Sequence, residues 1–264
     1  MEIGFCISMK ADYAEQIECM KKVGVNRTFI MSEGQYFDEI MTAFAENGII
    51  CENLHSPFDG INDMWSESED GDKMLQRLME SVDKCAKYSV PAMVVHVSSG
   101  RPMTPITAAG DKRYKKLMDY AREKGVKIAY ENLRYLENLK HNLELYPDSV
   151  FCWDCGHENC YTPGTRFMPM FGKRLGALHI HDNACGVDTD DHVLPFDGKI
   201  DFDRVAKDLA ESGYEGTLML EIGKSAIYEG EEIYKDMSYE EFYSKAVKAA
   251  RKIVDMVESY RKNK

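Results

Sequence analysis

Eight short runs rich in β-branched and aromatic residues recur along this chain, and longer stretches with helical spacing fill the gaps between them. The runs are EIGFCI (2–7), VNRTFIM (25–31), IICENL (49–54), AMVVHV (92–97), VKIAYE (126–131), VFCWD (150–154), GALHIH (176–181) and GTLMLE (216–221). ADYAEQIECMKKVG (11–24) and FDEIMTAFAENG (37–48) carry apolar residues at helical spacing and end on Gly24 and Gly48, a usual stop for a helix. The segments 72–90, 113–125, 201–213 and 240–262 follow the same pattern. The stretches after the fifth and sixth runs are less regular, interrupted by Pro147, Pro163 and Pro169. A strand followed by a helix returns the chain to the same edge of the sheet, so the strands pair in parallel. Eight such units close on themselves, and the expectation is an α/β fold, a (β/α)8 TIM barrel forming a single domain over residues 1–264. An open doubly wound sheet is the competing arrangement. It usually has a glycine-rich phosphate turn after its first strand, whereas SMKADY follows the first run here.

Composition narrows the function classes. The net charge of −12 opposes binding to a phosphate backbone, so nucleic acid is not the expected partner. No apolar run reaches the ~20 residues needed to span a bilayer, and MEIGFCISMK has no basic region followed by a long apolar core, so a cytoplasmic location without membrane contact is expected. The eight cysteines show no framework spacing, as expected of reduced, buried small hydrophobes.

In such a barrel the chemistry gathers at the C-terminal ends of the strands. Six of the seven histidines fall there: His55, His96, His157, His179, His181 and His192, with His141 the exception. Glu131, Asp154 and Glu221 close the fifth, sixth and eighth runs. Side chains alternate along a strand. If Glu131, Asp154, His179 and Glu221 face inward, then Ala129, Cys152, Ala177 and Met219 line the interior below them, and Trp153 packs outward. Three carboxylates in a low-dielectric mouth repel one another unless a cation lies between them. A divalent metal (Mn, Zn, Co or Mg) satisfies this oxygen and nitrogen set.

The segment FCWDCGHENC (151–160) resembles a CxxC redox or zinc motif. A redox motif needs its first cysteine at a helix N-terminus, and a zinc ribbon needs a second CxxC pair that the chain lacks. Cys152 instead lies within a strand, so the informative spacing is Asp154-x-x-His157.

Taken in order, LHSPF (54–58), VVHVSSG (94–100), AYENL (129–133), WDCGH (153–157), LHIHDN (178–183), DDHVLPFDGKIDF (190–202) and LMLEI (218–222) resemble the xylose-isomerase-like TIM barrels, a superfamily of sugar (phosphate) isomerases, epimerases and endonuclease IV. The resemblance covers nearly the whole chain. It implies one metal held by Glu131, Asp154, His179 and Glu221. It also implies a substrate contact at His157, and proton transfer by Glu131 and Glu221 on opposite sides of a sugar. Ketohexose 3-epimerases carry an arginine six residues after the metal histidine; Cys185 stands there in this chain. The resemblance to endonuclease IV implies up to three zinc ions on His55, His96, Glu131, Asp154, His157, His179, Asp190, His192 and Glu221.

The leading expectation is a metal-dependent isomerase or epimerase of a small carbohydrate, moving a proton beside a carbonyl. The alternative is a multinuclear zinc phosphoesterase on abasic DNA. His96 and His157 are candidates for binding hydroxyls, and His181 for a further ligand or hydroxyl contact. Phe58 and Trp65 are candidates to cover the apolar face of a sugar. Arg101, Arg134 and Lys224 follow strands and are candidates to meet a phosphate or carboxylate. Asp201 reads as a helix N-cap. The long helix at 240–262 offers a surface for a homo-oligomer.

Overall fold

The computed structural model describes residues 1–10 and 12–263; Ala11, the first residue of the first helical stretch, lies outside them. Eight strands form one parallel sheet: β1 (Ile3–Cys6), β2 (Arg27–Met31), β3 (Ile50–His55), β4 (Ala92–His96), β5 (Lys127–Glu131), β6 (Val150–Asp154), β7 (Leu175–His179) and β8 (Leu218–Leu220). Their spatial order is β7-β6-β5-β4-β3-β2-β1-β8. The seam between β7 and β8 is joined just past their ends, where the Ile180 amide donates to the Met219 carbonyl at 2.9 Å and the Glu221 amide to the Ile180 carbonyl at 3.0 Å. The chain is thus a (β/α)8 TIM barrel, and each expected strand is present within two residues of its expected ends.

The outer layer is α1 (Tyr13–Lys22), α2 (Phe37–Asn47), α3 (Glu69–Lys87), α4 (Ala108–Lys124), α5 (Leu136–Leu145), the short α6 (Cys155–Cys160) and α7 (Met168–Phe171), α8 (Phe202–Ser212) and α9 (Tyr239–Lys262). Local chemistry sets their ends. Gly48, Gly125 and Gly213 take left-handed backbone after α2, α4 and α8, a conformation that costs glycine nothing. The Asp201 side chain accepts from the Asp203 and Arg204 amides at the start of α8, and Ser238 and Glu241 cap α9 reciprocally. A two-stranded hairpin, β9 (Ile227–Tyr228) and β10 (Glu231–Glu232), lies between β8 and α9. No helix among the described residues is long and apolar enough to cross a membrane.

The barrel interior is layered. Val94, Ala129, Cys152 and Ala177 form their own buried cluster, apart from the large core between sheet and helices. Ala129, Cys152 and Ala177 of this layer belong to the inward set expected from strand alternation, whereas Met219, the fourth expected member, joins the large core, where Trp153 packs outward. Above the layer lie the carboxylates and histidines; below it Arg27 pairs with Glu52 at 3.2 Å. Register aligns neighbours at the upper rim, with His96 beside Glu131 and Asp154 beside His179.

Candidate metal and active site

Glu131, at the end of β5, is the hub of the mouth. Its carboxylate is fully buried, and one oxygen meets His55 Nε2 at 3.2 Å and His96 Nε2 at 2.8 Å. The other meets His179 Nδ1 at 2.7 Å. The same His179 nitrogen lies 3.0 Å from a Glu221 oxygen, so one imidazole nitrogen, bonded to the carboxylate of β5, also faces the carboxylate at the end of β8. The His179 ring is fixed by stacking on Phe29 at 4.4 Å.

Asp154 ends β6 and begins α6. Its Oδ1 accepts from the His157 amide at 2.6 Å, a helix cap that explains the Asp-x-x-His spacing. The same oxygen lies 3.2 Å from His181 Nε2. The loop between β7 and α8 delivers Asp190 and His192. Asp182 shapes that loop by accepting from the amides of Asn183, Phe196, Gly198 and Ile200. Asp190 Oδ2 lies 3.4 Å from His157 Nε2 and 3.5 Å from His192 Nε2. His55, His96, His157, His179, His181 and His192 therefore share one mouth with Glu131, Asp154, Asp190 and Glu221. His141, as expected, lies apart on α5, paired with Asp111 at 2.6 Å.

Two features test this donor set against a divalent cation. The first is orientation. A carbonyl only accepts, so His55, His157 and His192 donate from Nδ1 to the carbonyls of Ser56 (2.8 Å), Asn132 (3.1 Å) and Glu221 (3.0 Å). Each thereby presents Nε2 to the mouth, the arrangement that orients metal-ligating histidines. The second is unmet hydrogen-bonding capacity. Among the described residues, buried atoms without a hydrogen-bond partner include both ring nitrogens of His96, Asp154 Oδ2, His181 Nε2, Asp190 Oδ1 and Glu221 Oε2. The contact between His96 and Glu131 is short but misaligned, so it does not count as a hydrogen bond. A buried polar atom left unpaired is costly, and a cation satisfies several at once. The donors fall into overlapping groups whose ligand atoms lie within 4.8 Å of one another: Glu131, Asp154, His179 and Glu221; His55, Glu131 and His179; Asp154, His157 and His181; and His181, Asp190 and His192.

The electrostatics agree. Burial pushes the Glu131 carboxyl up, but His179, with His55 and His96 close beside it, brings it well below the usual carboxylate range. Burial likewise opposes ionisation of Glu221 and Asp190, yet His179 draws Glu221 down and His157 and His192 draw Asp190 down. Burial disfavours charge on His157, but Asp154 and Asp190 raise it to about 10; His192, bonded to Asp190 and facing Glu221, also rises to about 10. Burial dominates at His96 and lowers it, against the pull of the neighbouring Glu131. Without a cation, protons on imidazoles balance the carboxylates, so metal binding and proton release are linked.

Phe58 lines this mouth, 41% exposed, with its ring stacked on His96 at 4.8 Å and edge-on to His55 at 5.7 Å. Two sequence expectations need correction. Trp65 donates its indole N–H to the Val97 carbonyl at 2.7 Å and packs on Tyr114 and over Gly110. Only 2% exposed, it offers no face to a sugar. Lys224 turns away, toward the Lys235 carbonyl at 3.4 Å and the Tyr239 ring. Arg101 and Arg134 both reach Asp188 in the β7–α8 loop. Cys152 and Cys155 of FCWDCGHENC are buried, and burial raises the Cys152 thiol to about 12 and lifts Cys155 well above its ordinary value, which disfavours the thiolate that redox chemistry needs.

Sequence reasoning missed three residues. Tyr161 stacks on His157 at 4.9 Å and donates to Asp190 at 2.8 Å; its four-residue spacing from His157 was the available signal. The Asn132 side chain bonds both the amide and the carbonyl of Asp154. Gly156 is required by close approach, because a Cβ there would lie 2.0 Å from the His181 ring.

A (β/α)8 barrel with a carboxylate–histidine cluster at its C-terminal rim defines a class, and comparison with known proteins narrows it. Residues 8–246 match the model of the xylose isomerase-like TIM barrel family, and the chain belongs to that family. An uncharacterised protein of Sinorhizobium fredii, y4fM, is 29% identical over 204 residues, covering 71% of this chain and 62% of that protein. The chain thus spans less than two thirds of that curated relative's length. Among solved structures, an L-ribulose 3-epimerase superposes with a TM-score of 0.74 at 14% identity, covering 100% of this chain and 97% of the other. The IOLI protein, solved with a bound zinc atom, superposes with a TM-score of 0.71 at 18% identity, covering 98% and 99%. At these identities the likeness is one of fold.

Proposed function

We propose that this protein is a divalent-metal-dependent isomerase or epimerase of a small sugar or polyol derivative. The observation that carries the proposal is the His179 nitrogen held between Glu131 at 2.7 Å and Glu221 at 3.0 Å. Two carboxylates from separate strands converge on one point, ringed by histidines whose Nε2 atoms face inward. Glu131, Asp154, His179 and Glu221 would hold the metal, which supplies Lewis acidity toward a carbonyl and its neighbouring hydroxyl. One glutamate takes the proton from the carbon next to the carbonyl, leaving an enediolate. The other returns a proton to the opposite face of that carbon, or to its neighbour, giving epimerisation or isomerisation. His96 and His157 bind hydroxyls, and Phe58 covers an apolar face of the sugar ring or chain. The epimerase among the structural neighbours is consistent with this chemistry.

One observation favours a second reading. The mouth holds more ligands than a single ion uses, and the overlapping donor groups suit up to three zinc ions, as in an endonuclease IV-like phosphoesterase. The net charge of −12 weighs against a DNA substrate.

Two measurements test the proposal. Elemental analysis of the purified protein should find about one Mn, Zn, Co or Mg per chain, in line with a single four-ligand set. Incubation with ketoses and their phosphates in deuterium oxide should place deuterium beside the carbonyl, and chelation should stop it. Near three zinc ions per chain together with cleavage of abasic DNA would replace this proposal with the second reading.

A further inference from the structure

Asp188 lies in the β7–α8 loop and divides its carboxylate between two arginines from different strands. Its Oδ1 lies 3.1 Å from Arg134 Nε, in the loop after β5, and its Oδ2 lies 3.6 Å from Arg101 Nε, after β4. One negative charge therefore meets two positive ones at the rim of an acidic mouth. Arg134 is not a free surface side chain. Its guanidinium lies 3.7 Å from the centre of the Tyr161 ring, and the same ring stacks with His157 at 4.9 Å. The Tyr161 hydroxyl donates to Asp190. Guanidinium, phenol and imidazole thus form a continuous stack from the arginine pair to the histidine cluster.

Asp188 is placed to be displaced. Its side chain is 42% exposed, and its backbone has a φ of 60°, the left-handed region that non-glycine residues occupy at a cost. Cys185 and His192, at φ 55° and 51°, share that strain in the same loop. A carboxylate neutralises one arginine. A phosphate monoester carries close to two negative charges near neutral pH and offers three acceptor oxygens, so it engages both guanidinium forks.

We propose that the substrate carries a phosphate ester, and that Arg101 and Arg134 bind it after it displaces Asp188 from the pair. The proposal rests on the sugar reading given above and deepens it to a sugar phosphate. Asp188 is then a built-in competitor that keeps the two arginines occupied between turnovers.

The test is isothermal titration of the metal-loaded protein with D-ribulose 5-phosphate, D-ribulose and inorganic phosphate. Charge-assisted bonds from two arginines should make the phosphate ester bind about 10- to 100-fold tighter than the free sugar. The double variant Arg101→Met/Arg134→Met should erase that difference and leave D-ribulose unchanged. Asp188→Asn should tighten the phosphate ester several-fold, whereas loss of a merely structural salt bridge would weaken binding or leave it alone. Glu137→Gln, which removes a charge on nearby α5, should change nothing. Inorganic phosphate decides the case in which neither sugar binds: wild type should bind it and the double variant should not.

Equal binding of both sugars, a preference that survives in the double variant, or weaker or unchanged binding of the phosphate ester by Asp188→Asn would each overturn the proposal. Deuterium exchange separates the two readings. Exchange into D-ribulose with no gain from its phosphate sinks the arginine pair alone. Phosphate binding through the pair with no sugar exchange sinks the isomerase reading alone.

Discussion

The two ends of this barrel have the same strand periodicity and opposite chemistry. Below the layer of Val94, Ala129, Cys152 and Ala177, polar groups largely answer one another: Arg27 pairs with Glu52, and Thr217 donates to the same carboxylate at 2.6 Å. Above it, carboxylates and imidazoles crowd together and still leave His96, Asp154, Asp190 and Glu221 with unpaired atoms. The lower end is organised as structure: Arg27 and Glu52 pair there, although Arg27 Nε and Asn53 Oδ1 have no partner, while the titratable groups crowd at the other rim. The upper end carries an excess of donors held in place by carbonyls, helix caps and aromatic stacking. That difference marks a site, because unmet buried polarity is costly unless something binds there.

The largest expected effect contrasts a glutamate from each end. Glu221→Gln removes half of the proposed proton-transfer pair and should lower kcat by about 10²- to 10⁴-fold. Glu52→Gln should leave turnover unchanged and cost stability of at most about 1 kcal/mol, being partly exposed. Steady-state kinetics beside thermal melts check both, and an equal loss of turnover in the two variants would break the comparison.

Close packing gives the next contrast. In Gly156→Ala the new methyl would meet the His181 ring at 2.0 Å, so the ring must move. Metal affinity should fall about 10- to 100-fold, read by competitive titration against a chromogenic chelator. In Gly4→Ala the methyl meets the flexible end of Met219 and the Arg27 Cβ. It should cost about 1–3 kcal/mol of stability and no metal affinity.

The third contrast is in pH. His157 and His192 stand at about 10 in the metal-free fold against an ordinary 6.5. A group raised on folding stabilises the fold fully below its unfolded value and loses that contribution as pH climbs through its folded value. The melting temperature of metal-free protein should therefore fall between pH 6.5 and about 10, and metal loading should flatten the slope. Glu52→Gln should leave the slope intact. A flat profile for metal-free protein would show that the two histidines do not hold protons in the cluster.

The smallest effect is at Trp65. Trp65→Phe deletes one buried hydrogen bond, to the Val97 carbonyl, and should cost about 1 kcal/mol while KM for any substrate stays constant. A changed KM would return Trp65 to the mouth.

Much of this arrangement was legible from residue order. Strand alternation placed Glu131, Asp154 and His179 at one rim, with Ala129, Cys152 and Ala177 beneath them, because the period of two fixes faces whatever the partners are. The Asp154-x-x-His157 spacing was legible for a similar reason, since a cap and the first turn of a helix are local. Trp65 and Lys224 were misplaced because proximity to a strand end says nothing about which way a loop side chain turns. The bowl over Gly110 and the carbonyl of Val97 claimed the indole, and the segment near Lys235 claimed the lysine. Tyr161 and Asn132 were passed over because their importance lies in what they hold rather than in their own type.

By itself the sequence determined the alternation of strands and helices, the closure implied by eight repeats, and the rim at which reactive side chains collect. Those follow from local periodicity and from the chirality of parallel crossovers. Only the tertiary structure decided that Glu131 and Glu221 converge on one His179 nitrogen, that three histidines turn Nε2 inward, and that Asp188 bridges Arg101 and Arg134. Each of these depends on distances between segments remote in sequence, which packing and loop geometry set.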